Sequence, residues 1–530
     1  MNNMHSDKSA YQDLMEIDGG PQSLGKRLVS FRKWFADNGG VVHPAVCIVN
    51  GEATDGTKNA PVLLFGPPAS SSTAVQVPPG NGRCGLVDGD GDRVLYDRTI
   101  GCQVRAAKEI KKDEVVMRIP RTLMITPDVV ASSDAARAVL ACCHQKSGME
   151  NFWNYFTNTI EREQKFYEKI SQSTGTQLLV KILQERKKIE TVLAKAFKSA
   201  PDVEDGISNN TSNKPSNIEF KLAVPGTIST RAPVLAFLIH QRFSDEGNPS
   251  ISKDQNNHDF LSPEFKTVES VPRIEKLDGS PESFSPYARV LPPSVPLPIC
   301  WKRNELALLA GCIPGIPLLQ NVAAQTMSLA SDLNSLIEGG ILHRFPNIFP
   351  KHLITWDRWV WAASIHASRI LPSSCYFDEE SNFMNGTFPS SFKAVKSPRE
   401  IWSELGVMIP LLDMLNHESD AAQLTWISPT GHYEGISNGT SKDEDKLKNI
   451  EDEIAKVITH KRVKKGAEIF TTYGVDGNKD LMLRYGFAQM RNPSDTVPIG
   501  WGFGDCVGRV SKPENFNLPD EVMNDDITSI

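Results

Sequence analysis

The spacing of apolar and polar positions along this chain changes several times, and each change predicts an element. Leu24, Leu28, Phe31 and Phe35 recur at three- and four-residue intervals, which predicts a helix over residues 24–38, stopped by Asn38-Gly39-Gly40. The Gly-, Pro- and Ser-rich stretch from Gly51 to Gly91 reads as loop. Glu114-Val-Val-Met-Arg-Ile119 has β-type composition after a Lys112-Asp113 turn, and Leu123-Met124-Ile125 continues that character beyond Pro120. Residues 132–200 are rich in Ala, Glu, Lys and Leu and read as helices. The helical signal returns at Asn304–Leu309, and again where Trp356, Trp359, Val360, Ala363, Ala367 and Ile370 form one stripe behind Thr355 as N-cap. Strand-like runs follow at Leu424–Ile427 and Val457–Thr459. A third, Glu468-Ile469-Phe470, comes after a Lys464-Lys465-Gly466 turn. Residues 209–217 and 244–285 are polar, Pro-bearing and expected to be mobile, and residues 438–446 alternate charges as a solvated loop or surface helix would.

At 530 residues, 40% of them apolar, the chain is long enough for two or three packed units. Its formal net charge of -7 supplies no global positive field to recruit nucleic acid or an anionic membrane. No apolar run of about eighteen residues appears, and the first twenty residues lack an apolar segment, so the expectation is an intracellular protein, cytoplasmic or nuclear; the sequence leaves the oligomeric state open, with a monomer as the default. The nine cysteines, with only Cys142 and Cys143 close together, give neither a disulfide framework nor zinc-ligand spacing; they read as buried thiols. The sequons at Asn209, Asn210, Asn385 and Asn438 are read as chance matches, and Gly89-Asp-Gly-Asp92 as a turn without the spaced ligands of a calcium loop.

Three motifs carry chemistry. Ile409-Pro-Leu-Leu-Asp413-Met-Leu-Asn416-His417 comes first, Glu468-Ile-Phe-Thr-Thr-Tyr473-Gly474 second, and Asn478-Lys-Asp-Leu-Met-Leu-Arg-Tyr485-Gly486-Phe487 third. A tyrosine after a strand, or a His beside an Asn, is by itself more often a packing or turn residue than a ligand. In this order, the three together resemble the catalytic half of SET-domain protein methyltransferases, and the helix at 24–38 resembles the lead-in helix of the Rubisco large-subunit methyltransferase-like branch. Cys102 follows Gly101 in Ile100–Ile110, which resembles the family's Gly-x-Gly cofactor loop, with Gln103 where the second glycine falls and Ile100 where an acidic residue is common. Glycine there lets backbone approach a ligand closely.

The resemblance implies an α+β SET core of small sheets with a knot-like C-terminal motif, interrupted by a large helical insertion. Its expected parts are a disordered N-terminus (1–23), a lead-in helix and first half of the core (24–130), a helical insertion (131–370), the second half of the core (371–503) and a short tail (504–530). S-adenosylmethionine is the implied cofactor. Its implied contacts are Gly101, Cys102, Arg369, Asp413, Asn416, His417 and Tyr473. Asn416 would bond the donor's amino-acid portion and His417 would offer backbone to the adenine. Asp413 would support their turn, and the Arg369 guanidinium would grip a carboxylate bidentately, the alternative being a surface arginine favoured by the dipole at a helix C-terminus. Tyr473 is the catalytic candidate, since a phenol beside the methyl can orient an incoming amine. Tyr485 is the substrate-channel candidate, and Phe487 reads as packing. In-line transfer to an amine needs alignment and exclusion of water and calls for no metal. The implied activity is N-methylation of lysine in a non-histone protein, with protein histidine as a second acceptor and a catalytically inactive SET-like binding module as the non-enzymatic alternative. The partner is a protein substrate rather than nucleic acid or membrane.

Overall fold

A computed structural model describes residues 20–50, 62–64, 102–143, 152–200, 220–244, 280–312, 315–371, 398–418, 424–427, 433–434, 454–474, 476–489 and 492–495. Gly101, the four sequons, the Gly89–Asp92 turn, residues 1–19, the expected C-terminal tail, and nearly all of the polar insertions lie outside these residues, whereas residues 20–23, expected to be disordered, are helical.

Helix α1 (Gly20–Asp37) leads in. It buries Leu28, Phe31 and Phe35, the positions that the 3–4 spacing selects, and Gly39 turns the chain out at φ 83°. Strands β1 (Val41–Val42), β2 (Val46–Asn50), β3 (Val62–Leu64), β4 (Cys102–Ala106) and β5 (Val115–Pro120) follow. β2 lies between β3 and β4, antiparallel to both. β3 corrects the loop reading of residues 51–91 at residues 62–64, the part of that stretch among the described residues. Three β-forming residues suffice for a strand when a neighbour supplies the ladder, and a run that short carries no periodicity to read. The stretch after Pro120 also differs from expectation. Arg121–Leu123 is a 3-10 turn, and only Ile125 pairs, in an isolated bridge to Met408.

The helical part contains α2 (Asp134–Ala141), α3 (Thr159–Ile170), α4 (Gly175–Ser199), α5 (Arg231–Phe243), α6 (Arg303–Ala310), α7 (Ile316–Glu338) and α8 (Trp356–Arg369). Each start has a local cause where a cap is seen. Asn158 accepts from Glu161 N–H, Thr174 and Gln177 form a capping box, and Thr355 accepts from Arg358 N–H. A small apolar cluster of Ile170, Leu178, Ile182, Leu306, Leu319 and Val322 locks α3, α4, α6 and α7 together. Deeper in, α3 and α7 are joined by charge. The fully buried Asp332 accepts from Ser229 N–H at 2.9 Å and Ser229 Oγ at 2.5 Å, and pairs with Arg162 Nη2 at 3.3 Å.

The chain then returns to strands β6 (Ile370–Leu371), β7 (Val407–Met408), β8 (Asn416–His417), β9 (Leu424–Ile427), β10 (Tyr433–Glu434), β11 (Ile454–Thr459) and β12 (Phe470–Thr471), with helix α9 (Asn478–Tyr485) after them. A five-stranded antiparallel sheet has the order β1-β5-β11-β9-β10. β11 thereby pairs with a strand from the far side of the helical part, Lys456 opposite Arg118. β12 pairs parallel with β8, Phe470 opposite Asn416. This is the mixed α+β architecture that was expected. The main core crosses the expected boundary at residue 131: one cluster runs from Leu28 and Phe31 through Val116 and Ile119 to Leu235, Leu333 and Trp359, and on to Val457 and Ile469.

Candidate active site

Helix α8 ends at Arg369, where its C-terminal carbonyls favour a cation and where β6 turns the chain antiparallel to β7, Ile370 opposite Met408. Past β7, buried Leu411 takes φ 76°, a conformation that costs a branched residue energy and survives only where the surroundings impose it. It starts a 3-10 turn over Leu412–Met414, closed by Asp413 N–H to Ile409 O at 3.1 Å and Leu415 N–H to Leu412 O at 3.2 Å.

Asp413 projects from this turn with its side chain fully buried. Its Oδ2 accepts from the Tyr287 hydroxyl and from Arg369 Nη1, and the same Nη1 also donates to the Asp413 carbonyl. Burial is the largest influence and opposes the charge on Arg369, but Asp413, Tyr287 and Tyr473 together outweigh it and hold the guanidinium's pKa above its ordinary value. Arg369 Nε and Asp413 Oδ1 are buried with no hydrogen-bond partner. An orphaned donor and acceptor within one ion pair are satisfied by a ligand carrying both charges, and the amino-acid portion of S-adenosylmethionine is such a group. The residues therefore fit that cofactor. The bidentate grip expected of Arg369 is reduced, because Nη1 is already spent on Asp413.

Asn416 and His417 form β8, so their backbone is fixed by β12. Asn416 Nδ2 donates to Glu468 Oε1 at 2.6 Å, which directs its amide through a partner the sequence had not singled out. Burial raises the Glu468 carboxyl, opposed by the Asn416 bond and by Arg105. Arg105 bridges Glu468 across antiparallel backbone, so the two side chains share a face. Its guanidinium is held by Gln103 Oε1, from Nε at 3.0 Å and Nη2 at 2.7 Å. Gln103, which stands where the resemblance has glycine, thus belongs to a polar chain leading to Asn416. Cys102 opens β4 opposite Asn50.

Tyr473 follows β12. Its hydroxyl donates to Leu415 O at 2.6 Å and its N–H donates to His417 Nδ1 at 3.0 Å. The second bond requires an unprotonated Nδ1, and burial accordingly lowers the His417 pKa against the pull of Asp476 and a bond with Gln489. Burial pushes the Tyr473 phenol well above its ordinary value, with Arg369 opposing, so at neutral pH it keeps its proton.

Around Tyr473 stands a group of rings. Tyr485 is 4.5 Å away between centroids, His417 5.2 Å and Phe487 6.4 Å, with Phe487 5.8 Å from His417. Gly486 makes this possible. It caps α9 at φ 80°, and a Cβ there would meet the Pro296 backbone at 2.6 Å. Phe487, read from sequence as packing, turns back onto the ring group as a result. The site therefore unites Arg369, Asp413, Asn416, His417, Tyr473 and Tyr485. It adds Tyr287, Glu468 and Phe487, of which only Phe487 had a local signal, the preceding glycine.

No protein-family model matches the chain. Over 232 residues it is 25% identical to the ribosomal lysine N-methyltransferase set10 of Schizosaccharomyces pombe, an alignment covering 43% of this chain and 32% of that protein. The likeness is to SET-domain lysine methyltransferases. This chain spans about a third of the length of that curated relative. Among solved structures, the SET domain of LSMT bound to lysine and AdoHcy aligns at 16% identity with a TM-score of 0.34, covering 74% of this chain and 51% of that one. Rubisco LSMT bound to AdoMet aligns at 16% identity with a TM-score of 0.33, covering 74% and 50%. Among the described residues no helix is long and apolar enough to cross a membrane.

Proposed function

We propose that this SET-like chain is an S-adenosylmethionine-dependent protein N-methyltransferase acting on lysine of a non-histone protein. One observation carries the reading most directly: a phenol fixed by the Leu415 carbonyl stands among three aromatic rings, next to a buried charge pair with one donor and one acceptor unfilled.

In this reading Arg369, Asp413 and Asn416 hold the donor's charged end, and the backbone of Asn416-His417 lies along its remainder. S-adenosylmethionine, when bound, would supply a methyl on a sulfonium, an electrophile for an amine nitrogen with the thioether sulfur as leaving group. Because the Tyr473 proton is already donated to Leu415 O, its oxygen faces the amine as an acceptor and fixes the direction of the nitrogen lone pair. Tyr485 and Phe487 exclude water and cover the alkyl stem of the side chain. The neutral acceptor amine is delivered by deprotonation to solvent, since the phenol is too weak a base precursor at neutral pH and His417 Nδ1 is occupied.

The relative's name makes ribosomal protein the first substrate class to try. Purified protein, labelled donor and a salt-washed ribosomal fraction or whole extract should give labelled protein bands that survive nuclease and map to lysine. Label on histidine would favour the second acceptor. An absence of both label and heat with S-adenosylhomocysteine would favour the binding module.

A further inference from the structure

Tyr287 lies in the Ser285–Ala288 helical turn, outside the three sequence motifs and more than a hundred residues before them. It is fully buried, its ring 6.2 Å from Phe31 of α1, and its hydroxyl donates to Asp413 Oδ2. A buried tyrosine with a satisfied hydroxyl is often nothing more than core. Here its acceptor is the residue that also binds Arg369 through both carboxylate and carbonyl, and that sits two positions before Leu415, whose carbonyl receives the Tyr473 hydroxyl. We propose that Tyr287 is a positioning residue for methyl transfer: it pins Asp413, and so fixes the turn whose Leu415 carbonyl aims the Tyr473 phenol. The proposal rests on the methyltransferase reading for its consequence, but its geometry can be read without turnover.

The path has only short links. Tyr287 is anchored by α1 and the surrounding helices, and Asp413 is anchored by Tyr287 and Arg369. Leu411 at φ 76° leaves the turn strained, so its position depends on being held. Removing the Tyr287 hydroxyl takes away one of the two side chains that hold the Asp413 carboxylate and lets the turn, and with it Leu415 O, relax.

The test is a four-member cycle of the wild type, Y287F, Y473F and the double variant, each first checked for folding by circular dichroism. Y287F should lower kcat about tenfold, the scale of one lost bond to a charged group, while the Kd for S-adenosylhomocysteine stays within about twofold. In the Y473F background the same change should cost nothing further, because the phenol it aims is gone. An equal loss in both backgrounds, or no loss at all, overturns the proposal. With ring-labelled tyrosine, the Tyr473 resonance, assigned by its disappearance in Y473F, should shift in Y287F; an unmoved resonance overturns the proposal even if the wild type methylates nothing, an outcome that would instead remove the methyltransferase reading. Should Y287F not fold, Y287M, which also removes the hydroxyl while filling much of the buried volume, takes its place in the same cycle with the same expected coupling and the same unchanged Kd.

Discussion

Replacing Tyr473 by Phe separates two roles a phenol can play, and the structure sets the size of each. The ring contacts at 4.5 and 5.2 Å to Tyr485 and His417 are kept. Only the hydroxyl goes, with its 2.6 Å bond to Leu415 O. If the oxygen accepts a hydrogen bond from the substrate nitrogen, the transition state loses about 1.5–3 kcal/mol, the cost of a bond to a charged partner. That corresponds to roughly 10- to 150-fold in kcat. A phenol passing a proton in the rate-limiting step would cost more, in the range of about 10²–10⁴. The raised phenol pKa favours the first role, because the group stays neutral at neutral pH. The orphaned Leu415 carbonyl should also lower stability by about 1–3 kcal/mol unless water reaches it. The assay is single-turnover methylation of a lysine substrate, beside calorimetry with S-adenosylhomocysteine and a urea melt. A fall within the predicted range at unchanged donor affinity supports an orienting acceptor. Wild-type turnover by Y473F, or a loss that tracks donor affinity alone, would refute the role assigned to Tyr473.

Further expectations concern stability and the donor site. Asp332→Ala strips a buried arginine of its partner and should destabilise the fold by about 3–5 kcal/mol in a urea melt, while Asp332→Ala with Arg162→Met should cost less than the two changes summed. Glu468→Ala removes the acceptor that aims Asn416, so S-adenosylhomocysteine should bind more weakly with the fold intact, and Glu468→Gln should restore much of that affinity. Because burial raises the Glu468 carboxyl, its contribution favours the folded state at low pH and is lost as pH rises through its folded pKa; Glu468→Gln should therefore raise Tm at neutral pH, the gain vanishing below the ordinary carboxylate range. His366 is displaced the other way, from 6.5 to about 4 by burial with Arg231 adding to the effect. The unfolded chain takes up the proton first, so stability should fall as pH drops from about 6.5 towards 4, and His366→Gln should flatten that part of the acid melt.

The elements with a clear period were legible. The stripe behind Thr355 is α8, Leu424–Ile427 is β9, and the Val457–Thr459 run is the end of β11. Motif order brought Asp413, Asn416, His417 and Tyr473 to one place. Tyr287 was not legible, because its role depends on a partner 126 residues away and on burial, neither of which leaves a local pattern. Glu468 was read only as a strand residue. What makes it part of the site is the parallel register of β8 and β12, and no single run of sequence encodes that register. Gln103 looked like a departure at a glycine position; the structure turns it into an anchor for Arg105.

The pairing of β5 with β11 has a consequence for the making of the protein. Pro120 lies opposite Ile454, 334 positions on in the chain. At ribosomal speeds of about 5–20 residues per second, β5 waits on the order of 20–70 s for its central partner to emerge. Throughout that interval its inner edge offers unpaired amides and carbonyls to any passing strand. The helices between can begin to condense early, on local contacts, and act as a scaffold that keeps the two halves of the sheet within reach. Expression at lower temperature or with chaperone supply should therefore improve the soluble yield of this chain. Cutting it anywhere between those two strands would leave a fragment with an open edge.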